Sequence, residues 1–198
     1  MDRRQSSNRP APAVGDAGAR AVNLAPALTA SDFDVARTLF REYQQWLDVD
    51  LCFQGFEEEL ATLPGRYAPP GGRLLLAWDG ADAAGCAALR PLEEGICEMK
   101  RLFVRPGYRG CGLGRLLAAR IVNEATAAGY AAMRLDTLDS LVGAMRLYES
   151  LGFERRGPYY ANPLPGVVYW ERALSRSALV PTAAASDDLP TGSGGAIP

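Results

Sequence analysis

The chain has 198 residues, of which 48% are hydrophobic and 22% charged, the composition of a folded globular protein rather than a disordered one. Its 21 Lys and Arg against 23 Asp and Glu give a formal charge of −2, so there is no basic field to hold a phosphate backbone, and general nucleic-acid binding is excluded. Histidine is absent, which excludes Ser-His and Cys-His catalysis and His-ligated metal sites; chemistry must come from carboxylates, tyrosines, thiols, amines or the backbone.

Residues 1–20 are rich in Arg, Ser, Pro, Ala and Gly without periodicity, and residues 175–198 repeat that style, so both ends are expected to be loose tails around a single domain spanning 21–174. A first strand is expected over Val22 to Leu28. Ser31 then caps a helix from Phe33 to about Leu47, in which Phe33, Ala36, Leu39, Phe40, Tyr43 and Leu47 recur at helical spacing. A short helix over Phe56 to Leu63 ends at the breakers Pro64-Gly65 and Pro69-Pro70-Gly71-Gly72. Three strands at short spacing follow, Arg73 to Trp78, Gly85 to Leu92 and Ile96 to Val104, with turns at Asp79-Gly80 and Glu94-Gly95; such spacing implies antiparallel pairing. A leucine-rich helix over about Gly112 to Ala128 and a strand over Met133 to Thr137 come next. Ser140 caps a helix over Leu141 to Ser150, and two short strands, Phe153 to Arg156 and Val167 to Arg172, complete an α/β domain with a mixed sheet.

The four cysteines, Cys52, Cys86, Cys97 and Cys111, contain no C-x-x-C pair, which fits a reducing compartment, the cytoplasm being the simplest, and argues against a metal cage. No apolar run reaches the roughly 18 residues a membrane span needs, and no apolar h-region follows the N-terminal charges, so neither a span nor a secretory signal is expected.

The run Arg109-Gly110-Cys111-Gly112-Leu113-Gly114 spends three glycines in five positions between a strand and a helix start. That order gathers unpaired backbone N–H groups around one point with the positive end of a helix dipole behind them, which is an anion site. Arg109 and Arg115 can add charge-assisted contacts, although the bare pattern is also that of a tight packing turn. A P-loop is ruled out because Arg115-Leu116 stands where Lys-Ser or Lys-Thr is required. The dinucleotide fingerprint fits poorly: Asp136 lies where a ribose-binding acid would, but the third glycine is missing and antiparallel strands precede the motif.

Arg109-x-x-Gly112-x-Gly114 after "EMKRLFV", then a leucine-rich helix, "MRLDTL" and "AMRLYESLGF", resembles the GNAT-type N-acetyltransferase superfamily over about residues 31–173, most closely from Glu98 to Phe153. The resemblance implies a GNAT-like, mostly antiparallel twisted sheet flanked by helices, and acetyl-coenzyme A as acyl donor with no metal. It implies amide contacts to the pyrophosphate from Arg109, Gly110, Cys111, Gly112, Leu113, Gly114 and Arg115. It also implies that Leu102, Phe103 and Val104 pair with the pantetheine arm, an amide there polarising the thioester carbonyl.

An alkyl ammonium, with a pKa of about 10.4, must lose a proton before it can attack. Glu98 stands where some members of the superfamily carry a glutamate base, with a water chain as the other route and a plain salt-bridged carboxylate as the other reading. Tyr148 occupies the position of the tyrosine that reprotonates the departing thiolate; spacing alone also allows a packed core tyrosine. Many members place an asparagine at the start of this helix to bind the cofactor, whereas here Leu141 stands there with Ser140 beside it, so Ser140 is the candidate for that contact. Cys111 reads as a small loop residue rather than a nucleophile, because direct transfer in a ternary complex needs no covalent intermediate.

The acceptor is expected to be a primary amine of a small molecule or peptide, met by Trp46, Tyr159, Tyr160 and Asn162 and by the acids Glu42, Asp48, Asp50, Glu57, Glu58 and Glu59, which equally could close the core and face water. A non-catalytic acyl-coenzyme A binding or sensing module is the alternative reading, and a homodimer is an expectation by analogy alone.

Overall fold

A computed structural model describes residues 22–49 and 55–174; the expected tails, together with Asp50 and Cys52, lie outside these residues. The chain opens with β1 (Asn23–Pro26), α1 (Ala30–Leu47) and α2 (Phe56–Thr62), then runs through β2 (Arg73–Asp79), β3 (Asp82–Glu93) and β4 (Ile96–Val104). It crosses over through α3 (Leu113–Ala127) to β5 (Ala132–Leu138) and closes with α4 (Val142–Ser150), β6 (Glu154–Arg156) and β7 (Val167–Ala173). The strands form one sheet in the order β1-β2-β3-β4-β5-β7-β6, in which β4 and β5 are parallel and every other neighbouring pair is antiparallel. This is the mixed, mostly antiparallel sheet that the sequence implied.

Two helix starts differ from expectation. Thr29, not Ser31, caps α1: its hydroxyl accepts from the Asp32 N–H at 3.2 Å, and Asp32 Oδ2 accepts from the Thr29 N–H at 2.9 Å. The reciprocal box satisfies two backbone donors at once, and the Asp32 carboxylate, held low by the Leu28 and Thr29 N–H groups, suits the positive helix end. Ser31 is already in the first turn. At α4 the capping residue is Leu141, which offers no side-chain acceptor, so Ser140 lies one position outside the cap it was expected to form.

The sheet is buried on both faces, which explains the unbroken apolar run Leu74-Leu75-Leu76-Ala77 in β2. Leu74 and Leu76 point with Cys86, Ala88 and Phe103 toward Leu39 and Phe40 of α1 and Phe56 and Leu60 of α2. Leu75 and Ala77 point the other way, with Leu89, Met99, Met133, Leu135 and Trp170, toward Leu117, Ile121 and Ala125 of α3. Each fully buried Leu, Ile or Phe contributes about 1.5–3 kcal/mol of burial. Two packed faces therefore hold the central strands rigid, and β4, between β3 and β5, is the strand best placed to carry a precise site.

Candidate active site

The site begins with a parting of two strands. β4 and β5 are in register at Ile96 with Ala132, Cys97 with Met133 and Glu98 with Arg134, and the pairing goes no further. Beyond it the strands diverge, and the remainder of β4 faces a cleft of about 460 Å³. Leu102, Phe103 and Val104 of β4 line it on one side, Leu135 to Leu138 of β5 on the other, with Tyr43 and Trp46 from α1 and Leu141 to Ala144 and Tyr148 from α4 closing the ends.

On its other side, β4 carries a bulge. Cys86 pairs with Phe103 but Ala88 pairs with Lys100, so Ala87 of β3 opposes both Arg101 and Leu102. The alternation slips there: Met99 packs on the α3 face, and after the bulge it is Leu102 and Val104 that do so. Arg101 adopts φ +57°, a left-handed conformation costing a residue with a Cβ about 1–2 kcal/mol. Its guanidinium makes a two-pronged ion pair with Glu59 of α2, Nε to Oε1 at 2.8 Å and Nη2 to Oε2 at 2.9 Å, and lies over the rings of Phe56 and Phe40. Burial alone would raise the Glu59 carboxyl, but Arg101's hydrogen bonds and charge outweigh it and hold the group below its ordinary value. Gly85 is also obligatory here, since a Cβ on it would stand 2.4 Å from the Phe103 carbonyl oxygen.

The glycine run follows at the end of β4. Gly110 and Gly112 have φ of +81° and +85°, and a Cβ on either would meet nothing within 4 Å. They are required by backbone conformation, and the space around them is open to a ligand. Gly112 caps α3 without a side-chain hydrogen bond, and the first N–H of the helix to find a backbone partner is that of Leu116, which leaves the amides of Leu113, Gly114 and Arg115 at the positive end of a 15-residue helix. This cradle fits a phosphate group. Arg115 donates to Ser150 Oγ, while Arg109 turns back into the cleft: its Nε donates to the Val104 carbonyl at 2.8 Å and its guanidinium stacks 4.2 Å from the Trp46 ring centroid. Cys111 is exposed, with its thiol 3.0 Å from the Tyr108 carbonyl oxygen.

Tyr148 is buried against Phe153 and Trp170 and still lines the cleft, so the core and cleft readings of this residue both hold. Burial pushes its phenol well above the ordinary value, which keeps the proton on it at neutral pH. Ser140 lines the cleft although it does not cap α4.

Glu98 lies one step away from that group. It is 1% exposed and is not part of the cleft wall. Arg90 holds its Oε2 at 2.8 Å, the Tyr159 phenol donates to its Oε1 at 2.8 Å, and Lys100 Nζ stands 3.7 Å away. Lys100 does line the cleft, where it pairs with Asp136 at 3.0 Å. Asp136 also accepts from the Tyr160 phenol at 3.0 Å, and Asn162 donates to that phenol's oxygen at 2.8 Å. Of the residues expected to meet an acceptor, then, Trp46 reaches the cleft directly, while Tyr160 and Asn162 reach it through Asp136. Glu42 is engaged with Arg105, Glu57 with Arg41 and Glu59 with Arg101. Sequence reasoning missed the Lys100–Asp136 pair; the alternation of Glu98, Lys100 and then Arg101 in an otherwise apolar strand was its one visible trace.

The sheet order, the parted parallel strands and the glycine cradle describe an acyltransferase-type α/β domain. Residues 35–153 match the Acetyltransferase (GNAT) family, and the chain belongs to it. It is 43% identical over 157 residues to an uncharacterized N-acetyltransferase of Schizosaccharomyces pombe, an alignment covering 78% of this chain and 96% of that one. Among solved structures it resembles a GNAT-family acetyltransferase of Staphylococcus aureus, with a TM-score of 0.66 and 21% identity over 78% of this chain and all of that one. The yncA protein of Salmonella typhimurium, solved with its cofactor acetyl-CoA, shares the fold with a TM-score of 0.60 and 20% identity over 83% of this chain and 99% of that one. The protein is thus an N-acetyltransferase whose class of reaction is acetyl-coenzyme A-dependent acetyl transfer. No helix among the described residues is long and apolar enough to cross a membrane.

Proposed function

We propose that the protein transfers the acetyl group of acetyl-coenzyme A directly to a primary amine of a small molecule or peptide, both substrates being bound together in the β4–β5 cleft. The observation that carries this reading is one cleft that runs from Arg109, the first residue of the glycine run, to Tyr148, along a stretch of β4 that has no strand partner on its β5 side. Acetyl-coenzyme A supplies the activated acyl group. The amides from Gly110 to Arg115 hold its diphosphate, that of Arg109, expected among them, being taken instead by the Pro106 carbonyl at 3.2 Å, and Leu102, Phe103 and Val104 pair with its extended arm and stabilise charge on the thioester oxygen.

The amine nitrogen forms a bond to the carbonyl carbon as the carbon–sulfur bond breaks. Tyr148 gives its proton to the departing sulfur, a role supported by its place in the cleft wall. The ammonium loses one proton by water toward Glu98, which stands behind Lys100 and Tyr159, before it attacks, and the second, shed by the nitrogen once the carbon–nitrogen bond has formed, returns to the Tyr148 phenolate. Ser140, in the cleft wall, supplies a cofactor contact in place of the asparagine that is missing.

The test is thiol release from acetyl-coenzyme A across a panel of primary amines, with Tyr148→Phe as the control. At least one amine should drive release, and Tyr148→Phe should lower kcat by about 10²-fold while coenzyme A binds with unchanged Kd by calorimetry. Binding without release on any amine refutes the enzymatic reading, and equal turnover by Tyr148→Phe refutes the acid.

A further inference from the structure

Arg101 and Asp48 are the non-glycine residues with positive φ among the described residues, and only Arg101 lies inside a strand. Asp48 ends α1, where such a conformation is ordinary. Nothing in the sequence of β4 favours it at position 101: an arginine flanked by Lys100 and Leu102 would take the extended backbone of its neighbours unless the surroundings dictated otherwise. Its surroundings dictate it. The side chain is 2% exposed, both prongs of its fork are taken by Glu59 at 2.8 and 2.9 Å, and aromatic rings of α1 and α2 lie 5.9 and 5.0 Å from the guanidinium carbon. Glu59 itself stands 42 residues away on α2, a helix anchored in the core by Phe56 and Leu60. A carboxylate on a fixed helix therefore pulls the strand into its bulge.

Leu102, the second residue of the bulge, and Phe103, which follows it, line the cleft. Resting on the thioester-binding reading given above, we propose that Glu59 is a positioning residue: by clamping Arg101 in its left-handed conformation it sets the direction in which Leu102 and Phe103 present their backbone to the thioester carbonyl. Glu59 touches neither substrate and acts only through Arg101. An arginine is suited to the task because its planar fork meets a carboxylate in one orientation, so the pair transmits direction as well as attraction.

The experiment needs no knowledge of the amine. Isotope-edited infrared spectra of [1-13C]acetyl-coenzyme A bound at saturation to the full chain report the thioester C=O stretch, which moves to lower frequency when an N–H donor is aimed at the oxygen. In the parent protein the bound stretch should fall below that of the free thioester. Glu59→Gln, which keeps the size of the side chain, should lose at least half of that shift while coenzyme A binds within about threefold of the parent by calorimetry. The double variant Glu59→Gln/Arg101→Gly should recover most of the shift, because glycine takes φ near +57° without a clamp although it packs less well. A merely structural pair would not be rescued by removing still more of its contacts. Glu59→Gln with the full shift overturns the inference, and so does a double variant that folds and binds without recovery. Should Glu59→Gln fail to fold, the double variant alone decides, by recovering the shift or not. A parent protein that binds acetyl-coenzyme A with no shift instead refutes the thioester-binding role of β4, and the positioning role falls with it.

Discussion

The phenol of Tyr159 donates to Oε1 of Glu98 across 2.8 Å, joining two residues 61 positions apart. This bond fastens the loop between β6 and β7 to the floor of the sheet, and Arg90 holds the carboxylate from the other side. A hydrogen bond to a charged acceptor is worth about 1.5–3 kcal/mol, so Tyr159→Phe should destabilise the fold by about 2 kcal/mol in urea unfolding. Glu98→Gln should cost about 3 kcal/mol, since it leaves Arg90 and Lys100 short of a buried partner. Because Glu98 is the residue proposed to receive the acceptor's proton, Glu98→Gln should also lower kcat at least about tenfold at saturating amine.

Gly85 offers a way to disturb β4 without touching the cleft. A Cβ there meets the Phe103 carbonyl oxygen at 2.4 Å and the Val104 Cα at 3.2 Å, both main-chain atoms that cannot swing aside. Gly85→Ala should therefore destabilise by about 1–3 kcal/mol and weaken coenzyme A binding by at least tenfold in a calorimetric titration. Gly157→Ala, where an added Cβ meets nothing within 4 Å, is the matched control and should leave binding unchanged.

The buried carboxylates predict the response to acid. Burial would raise Asp136, but the charge and hydrogen bond of Lys100, with the Tyr160 phenol, hold it below its ordinary 3.8; Glu59 is held below 4.5 by Arg101 against the same opposing effect of burial. Because both folded-state values lie below the unfolded ones, the unfolded chain binds more protons in this range. The stabilisation is complete above about pH 4.5 and is lost as pH falls through the lowered folded values. The urea midpoint should accordingly fall between pH 5 and pH 3, and Asp136→Asn should flatten that fall while lowering the midpoint at pH 7.

Much of the fold was legible because its signals are local. The helical spacing of Phe33, Ala36, Leu39 and Phe40, the turns at Asp79-Gly80 and Glu94-Gly95, and the glycines at 110 and 112 each act over a few residues, and each stands where the sequence put it. The start of α1 was misplaced because Ser31 and Thr29 are both good caps, and only the reach of Asp32 back to Thr29 decides between them. That Tyr148 reaches the cleft wall was legible through the motif around it. Glu98 was a candidate in the sequence, but its separation from the cleft was not legible, because Arg90 and Tyr159 approach it from β3 and from a loop 61 residues on. The bulge at Arg101 was invisible for a similar reason: its cause, Glu59, lies on α2.

The divergence of β4 from β5 has one more implication. It leaves a stretch of strand without a strand partner in the middle of the sheet rather than at its rim, where, among the described residues, the outer strands are the four-residue β1 and the three-residue β6. Rim edges invite a second polypeptide to add itself and aggregate. An inner edge walled by α1 and α4 is instead a template for backbone pairing that opens into the domain's own cleft.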